Sequence, residues 1–554
     1  MINEFLAHTD PPLVDYIELY NHSNQAVDLS GCVLTDDPAT NKFVIPPNTS
    51  ISARGFAVFY ETNLHFALSA AGEKIYLKGA DGSRGLDGIQ FEGQASGVSS
   101  GRFPDGAAEI YPLATRENDQ YIELYNRGAS PINLSGWRFT GINFTFPSNT
   151  VIQAGGYLVV AKSVTNLLAK YGNLNTANTL GNFGGRLSGK GERVALSMPD
   201  VQINTNTPGV LTTNLAHIIV DEVTYGTGGH WGNWANGGGS SLELIDARSD
   251  HRLASNWADS DETAKAPWTT IQATGVLSLG STRSGTPIDR LEVLMQGESE
   301  CLLDNVEVIG TGGTNLIANS TFESGLTGWV PQGNQVRSTL ETSGGFNSAQ
   351  SLHIRATSRG DTGANRLRTP LTSALASGQT VTIRAQMRWL RGWPEPLLRI
   401  DGNYFEATGR MTVPANLGTP GARNSRAVAN AGPAIYSVAH NPVLPAAGEP
   451  VVVTARIHDP DGFSTPILLY RVDPATAYAT INLVDNGTGG DAVAGDGIYS
   501  ATIPGQTSGT LVAFYVQVTD NGSPPAMGLF PEGAPARGCL VRFGDPEPVS
   551  SFVT

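Results

Sequence analysis

One short motif occurs twice near the start of the chain. YIELYN fills residues 16–21 and again 121–126, an offset of 105 residues. LSG follows both times, at 29–31 and 134–136, with the same offset. A tandem repeat of this length means two copies of one folding unit, which constrains the architecture before any propensity is weighed. Further along the copies drift. ISARGFAVF (51–59) aligns with IQAGGYLVV (152–160) at an offset of 101, and LSAAGEKIYL (68–77) with LSGKGERVAL (187–196) at 119. The difference of 18 marks an insertion in copy two, and it holds the one good helix candidate, VTNLLAKY at 164–171. Glu4 and Glu109 keep the offset of 105, which pairs INEFLA with AAEIYP as candidate first strands. AAEIYPLATREND is a poor version of that strand, either degenerate or shortened near Arg116.

Each copy reads as β. In YIELY, Ile17 and Leu19 alternate with Tyr16, Glu18 and Tyr20, the period of a strand with one face inward. FAVF (56–59) and YLVV (157–160) are nearly continuous apolar runs, which suit strands covered on both faces. The 65 Gly and 33 Pro among 554 residues supply turns for many short strands. No apolar run approaches the roughly 20 residues of a membrane helix. The net charge of −15 argues against nucleic acid as the main partner. Cys32, Cys301 and Cys539 are far apart with no CxxC, so they are expected to be buried small hydrophobes rather than a zinc site or disulfide framework.

These motifs together resemble the lamin tail domain, an immunoglobulin-type β-sandwich of nuclear lamins and many bacterial extracellular proteins. INEF, DYIELYN and VDLSG carry the likeness in copy one. QYIELYN, INLSG, DEVTYG (221–226), the Trp231 and Trp234 loop, GGGSSLEL (237–244) and SNW (255–257) carry it in copy two.

The middle of the chain changes character, with 14 Arg against 12 acidic residues between 276 and 426. NLIANSTFESGLTGW (315–329) resembles the opening of galactose-binding-like jelly rolls of carbohydrate-binding modules. In TVTIRAQMRW (380–389) Val381, Ile383, Ala385, Met387 and Trp389 alternate with Thr382, Arg384, Gln386 and Arg388, a half-buried strand with an Arg-bearing polar face. Saccharide sites need flat apolar faces with a few fixed polar groups. Trp389, Trp393 and Tyr404 are the candidate stacking residues, and Arg388, Arg391 and Asp401 the candidate hydroxyl partners. Filling the core is the competing role for these aromatics and the more economical one. The jelly-roll likeness also implies a structural calcium, with Asp304, Glu323 and Asp361 as candidate oxygen ligands. GTPGARNS (418–425) has the composition of a linker.

Residues from about 432 to 545 alternate short strands with Pro, Gly, Asp and Asn turns, as in an immunoglobulin or fibronectin type III sandwich. DNGTGGDAVAGDG (485–497) is acidic, but Gly487 and Gly489 replace ligands and no Glu closes the loop. It reads as a turn whose Asp side chains hold local amides, not as a calcium loop.

Catalytic motifs are missing: no HExxH, no GxSxG elbow, no Walker loop. Glu18 and Glu123 hold equivalent repeat positions and are expected to do one structural job twice. His230 beside Trp231 and Trp234 reads as a loop packed on its sandwich.

The expected architecture is all-β. It runs lamin tail domain 1 (1–106), lamin tail domain 2 (107–275), a jelly roll with linker (276–426), an immunoglobulin/fibronectin III-like domain (427–545), and the start of a linker (546–554). The expected role is nonenzymatic: an extracellular or cell-surface region for adhesion or targeting, with polysaccharide or cell-surface glycan and protein partners. The order of domains resembles secreted bacterial proteins whose lamin tail domains precede a spore-coat kinase-like (CotH-type) domain. The alternative is therefore the accessory half of a secreted enzyme whose kinase-like or hydrolase domain lies beyond residue 554. The chain begins without a leader and ends in DPEPVSSFVT, so a fragment is expected at both ends. An intracellular lamin-like scaffold lacks support, because no coiled-coil heptads precede the repeat.

Overall fold

The computed structural model describes the chain except residues 10–13, 92, 95–97, 103–105, 107–109, 113–115, 208–209, 278–286, 362, 404 and 545–554. Tyr404 and the terminal DPEPVSSFVT thus lie outside the described residues. The architecture is nearly all β, as expected. Two compact units result: Met1–Asn118 with Ala266–Pro414, and Asp119–Lys265 with the chain from Ala415 onward.

The first repeat copy is a sandwich. In one sheet Tyr16–Tyr20 lies between Ile2–Leu6 and Phe56–Tyr60, and Ser100–Arg102 and Ile110–Pro112 extend the Ile2–Leu6 side. The facing sheet includes Val33–Thr35, Lys74–Lys78 and Gly85–Gln90. Ile17 and Leu19 are buried with Phe5, Leu34 and Ile75, as period two requires. Ile110–Pro112 pairs with Ser100–Arg102 and so joins the sheet of copy one.

Why YIELYN repeats is visible in its last residue. The buried Asn21 amide donates to the carbonyls of Gln25 (2.7 Å) and Ile51 (3.2 Å). Asn126 does the same to Ser130 (2.8 Å) and Ile152 (3.2 Å). One side chain thereby closes its own turn and ties it to the next strand. The preceding tyrosines stack in both copies, Tyr20 on Phe56 and Tyr125 on Tyr157, each with ring centres 4.8 Å apart.

The copies differ at the strand expected to be covered on both faces. Tyr157–Ala161 is covered, because the inserted helix Val164–Lys170 and the following turn lay Leu167, Tyr171 and Leu174 against Val159 and Ala161. Copy one lacks this helix, and there Phe56, Val58 and Tyr60 remain exposed, contrary to the expectation.

The jelly roll has two five-stranded antiparallel sheets. Its boundaries differ from those read in the sequence. Trp268–Val276 pairs along its whole length with Thr380–Gly392, so the jelly roll begins by Trp268 rather than at 276. At its other end, residues 415–426 are not a linker. They return to copy two as a strap gripped by carboxylates. Glu243 accepts from the hydroxyls of Ser241, Thr419 and Ser425 and from the Arg426 N–H. Glu262 accepts the Gly418 N–H (2.9 Å) and the Ser260 hydroxyl, and lies 2.9 Å from the Lys265 ammonium. Glu123 takes the Gly421 N–H, and Tyr171 and Asn173 donate to the carbonyls of Leu417 and Pro420. Gly418 and Gly421 have φ of +78° and +75°, and a Cβ would fall 2.7 Å from the Tyr121 hydroxyl or 2.5 Å from Leu174. These glycines fit the strap to a surface; they do not loosen it. The jelly roll therefore interrupts the second unit, which closes behind it.

The last sandwich packs a three-stranded sheet (Ala434–Asn441, Val451–His458, Ile498–Ile503) on a five-stranded one around Val453, Leu468, Phe514, Val516 and Phe543.

Removing the grip should loosen the second unit. Glu243→Ala strands three hydroxyls and one N–H, and at about 1 kcal/mol net per hydrogen bond it should cost about 2–4 kcal/mol. The check is the denaturation midpoint of that unit together with protease cleavage within 415–426.

Burial pushes the Glu123 carboxyl up from 4.5 to about 8; the Gly421 N–H opposes the rise and the neighbouring Glu243 adds to it. Between those values the folded chain keeps a proton that the unfolded chain releases. This group's contribution to stability is therefore lost as pH rises from 4.5 to about 8. Glu123→Gln should raise the melting temperature relative to the parent at pH 8.5 and leave it nearly unchanged at pH 4.

Candidate functional site

The Thr380–Gly392 strand sits second in its sheet, between Trp268–Val276 and Ser299–Ile309. Its alternation sends Val381, Ile383, Ala385, Met387 and Trp389 into the core. Thr382, Arg384, Gln386 and Arg388 occupy the opposite face. Register extends that face sideways: Trp268 lies opposite Arg388, Thr270 opposite Gln386, and on the other flank Asp304 opposite Gln386.

Aromatic and polar groups on this face are held by specific contacts. Trp268 meets Phe346 edge to face, with ring centres 5.8 Å apart. Phe346 is positioned by Asp304, whose carboxylate accepts its N–H (2.6 Å) and the Ser348 hydroxyl (2.6 Å). The Gln386 amide donates to Thr270 (3.0 Å), and Arg388 donates to the Ala266 carbonyl (2.7 Å). Burial lowers the pKa of Arg388 and raises that of Asp304. Beyond them Glu300 lies 2.9 Å from His353 and within 4.0 Å of Arg391 and Arg355. Burial pushes the Glu300 carboxyl upward, but His353 and the two arginines outweigh it and the net shift is downward. The face thus offers a half-buried aromatic pair, neutral amide and hydroxyl groups, and fixed charges of both signs. That inventory suits a polyhydroxylated ligand.

The residues singled out in the sequence do not form one site. Trp389 is 1% exposed, with its indole N–H bound to the Gly392 carbonyl (2.9 Å), so it is a core residue and no stacking platform. Arg388 and Arg391 are on the polar face. Trp393 is half-buried, packed on Gly297, with its ring nitrogen buried and lacking a hydrogen-bond partner among the described residues. Asp401 is buried after Pro396–Ile400, a strand of the other sheet. Trp268 and Phe346 were missed. Trp268 fell outside the boundary drawn at 276, although WTTIQATGV already alternates.

The three candidate calcium ligands do not converge either. Asp361 accepts the N–H groups of Gly363, Ala364 and Asn365, which holds its carboxyl down at about 2. Asp304 and Glu323 are both engaged with the 346–350 segment, Glu323 through the Gln350 N–H (2.8 Å). Two carboxylates already accepting amides fall short of the six to eight oxygens calcium takes.

Among the described residues, two acidic groups do converge in the last sandwich, Asp459–Asp461–Asp520 and Asp485–Asp491–Asp496. In the second, Asp485 accepts the N–H groups of Gly495 and Gly497, and Asp491 that of Gly487, the expected turn. In the first, Asp461 is held by both oxygens to Arg248. Glu18 and Glu123 differ in their partners, an Asn3 amide and the Gly421 N–H. The His230 loop is packed as expected, with Trp231 near Trp257 at 6.3 Å.

Residues 1–92 and 107–227 match the Lamin Tail Domain family, and residues 314–395 match the Carbohydrate binding domain family. The chain is thus a lamin tail domain-containing protein with a segment similar to a carbohydrate-binding domain. No curated protein matches it. Among solved structures it is similar to the mouse nectin-like molecule 4 full ectodomain (Ig1–Ig3) at 9% identity. That alignment covers 51% of this chain and 96% of the other with a TM-score of 0.12, too low to carry an argument.

Core and face make opposite demands. Trp389→Ala should cost about 3–5 kcal/mol of stability, whereas the half-exposed Trp268→Ala should cost about 1 kcal/mol or less. Urea titration of each variant is the check.

Proposed function

We propose that this chain is a noncatalytic, extracellular binding region that holds a polysaccharide on the polar face of its jelly roll. The observation that carries this reading is the Trp268–Phe346 pair beside Gln386, Thr270 and Arg388 on one sheet face. Trp268 supplies apolar contact to a sugar ring. Gln386, Thr270 and Arg388 direct hydroxyls, and the Glu300–His353–Arg355–Arg391 group gives the far end a charged character. The match of residues 314–395 to a carbohydrate-binding family supports the reading. Among the described residues, no helix is long and apolar enough to cross a membrane. The lamin tail copies and the last sandwich serve as the mount.

Affinity electrophoresis of the full chain through gels containing soluble plant, fungal and bacterial polysaccharides tests this directly. Retardation by at least one polysaccharide is expected, and Trp268→Ala should weaken it about tenfold, or 1.4 kcal/mol. A folded chain retarded by none of them would sink the reading.

A further inference from the structure

Copy two carries a feature that copy one does not. The hairpin that spans Lys74–Lys78 and Gly85–Gln90 in copy one becomes an arm of two 16-residue strands, Glu192–Thr207 and Val210–Tyr225. Beyond its base the arm has no core to face. Register places Val201 opposite Leu215, Ile203 opposite Thr213 and Ser197 opposite Ile219, so Val201, Ile203, Leu215 and Ile219 share one face with Pro199, Thr213 and His217. The other face carries Gln202 opposite Asn214, Asp200 opposite Ala216 and, nearer the base, Met198 opposite Ile218. Val201, Ile203, Leu215 and Ile219 are 62%, 63%, 58% and 51% exposed. A period-two apolar pattern is the mark of a buried face, yet here the face is bare.

The outer edge of Val210–Tyr225 is also bare: it is the last strand of its sheet, with no partner among the described residues. Natural edge strands are blunted by Lys, Pro, inward charges or short length. VLTTNLAHIIV (210–220) has none of these devices. Charge decides the occupant. The chain carries −15 overall, but residues 201–220 contain no Asp, Glu, Lys or Arg. Two copies repel over much of their surface and meet without repulsion along this stretch.

We propose that the arm is the contact through which two copies of this chain associate. Val210–Tyr225 pairs antiparallel with its symmetry mate about a two-fold axis. Such an isologous contact is self-complementary and closed. It makes a four-stranded ribbon that gathers Val201, Ile203, Leu215 and Ile219 of both copies on one face. A dimer would then present two polysaccharide faces, a gain in avidity that rests on the function proposed above. The association itself does not.

Sedimentation velocity of the full chain from about 5 to 200 μM, a range that spans ordinary micromolar association, tests the proposal without any glycan. A dimer is expected at the upper concentrations. L215K/I219K and L215E/I219E should each be monomeric with unchanged melting temperature, and an equimolar mixture of the two should recover a heterodimer. Should either variant melt lower, an arm shortened between Ser197 and Ile219 by an Asn-Gly turn replaces it and should also be monomeric. A parent chain that stays monomeric throughout the range, or a dimer that persists in both charged variants, overturns the proposal.

Discussion

The grip of Glu243 and Glu262 on residues 417–426 is the interaction on which the second unit depends. A buried carboxylate is costly unless its oxygens find donors. Glu243 finds three hydroxyls and an N–H, and three of these four donors come from the strap, about 180 residues away in sequence. Lys265, at the point where the chain leaves for the jelly roll, donates to the carbonyls of Asn416 and Gly418, where it comes back. Departure and return thus meet at one ammonium group. A whole jelly roll can be carried in this gap because the second unit closes behind it.

That closure gives the repeat its asymmetry. Copy one completes its sheet locally with Ser100–Arg102 and Ile110–Pro112. Copy two instead receives a strap from far downstream over Tyr121 and Glu123, a helix over Val159, and an arm in place of a short hairpin. The same YIELYN frame therefore supports one plain sandwich and one elaborated into a mount. Arg248 extends the mount by bridging Asp246 of copy two to Asp461 of the last sandwich.

Much of this was legible in the sequence, and the failures have physical causes. Alternation at Ile17 and Leu19, and at Val381 through Trp389, marked the faces that turn inward, because a strand packed on a core buries every second side chain. The same alternation should have demoted Trp389 as a ligand, since it shares parity with Val381 and Ile383. Trp268 was hidden by a misplaced boundary. The strap was misread because Gly, Pro, Ser and Asn compose both a solvated linker and a tightly fitted turn; only the donors it offers to buried carboxylates tell them apart. Phe56 and Val58 misled because an apolar run says how much surface could be covered, not whether an element exists to cover it.

The central claim is that the jelly roll is an inserted binding module and the lamin tail copy its self-sufficient mount. Excising Ala266–Pro414 and joining Lys265 to Ala415 through a short Gly-Ser link tests both halves at once. The excised chain should stay monodisperse, keep its strand-rich circular dichroism and melt cooperatively, while losing retardation by every polysaccharide that slows the full chain. A shortened chain that aggregates, or that is retarded as strongly as the parent, would contradict the account.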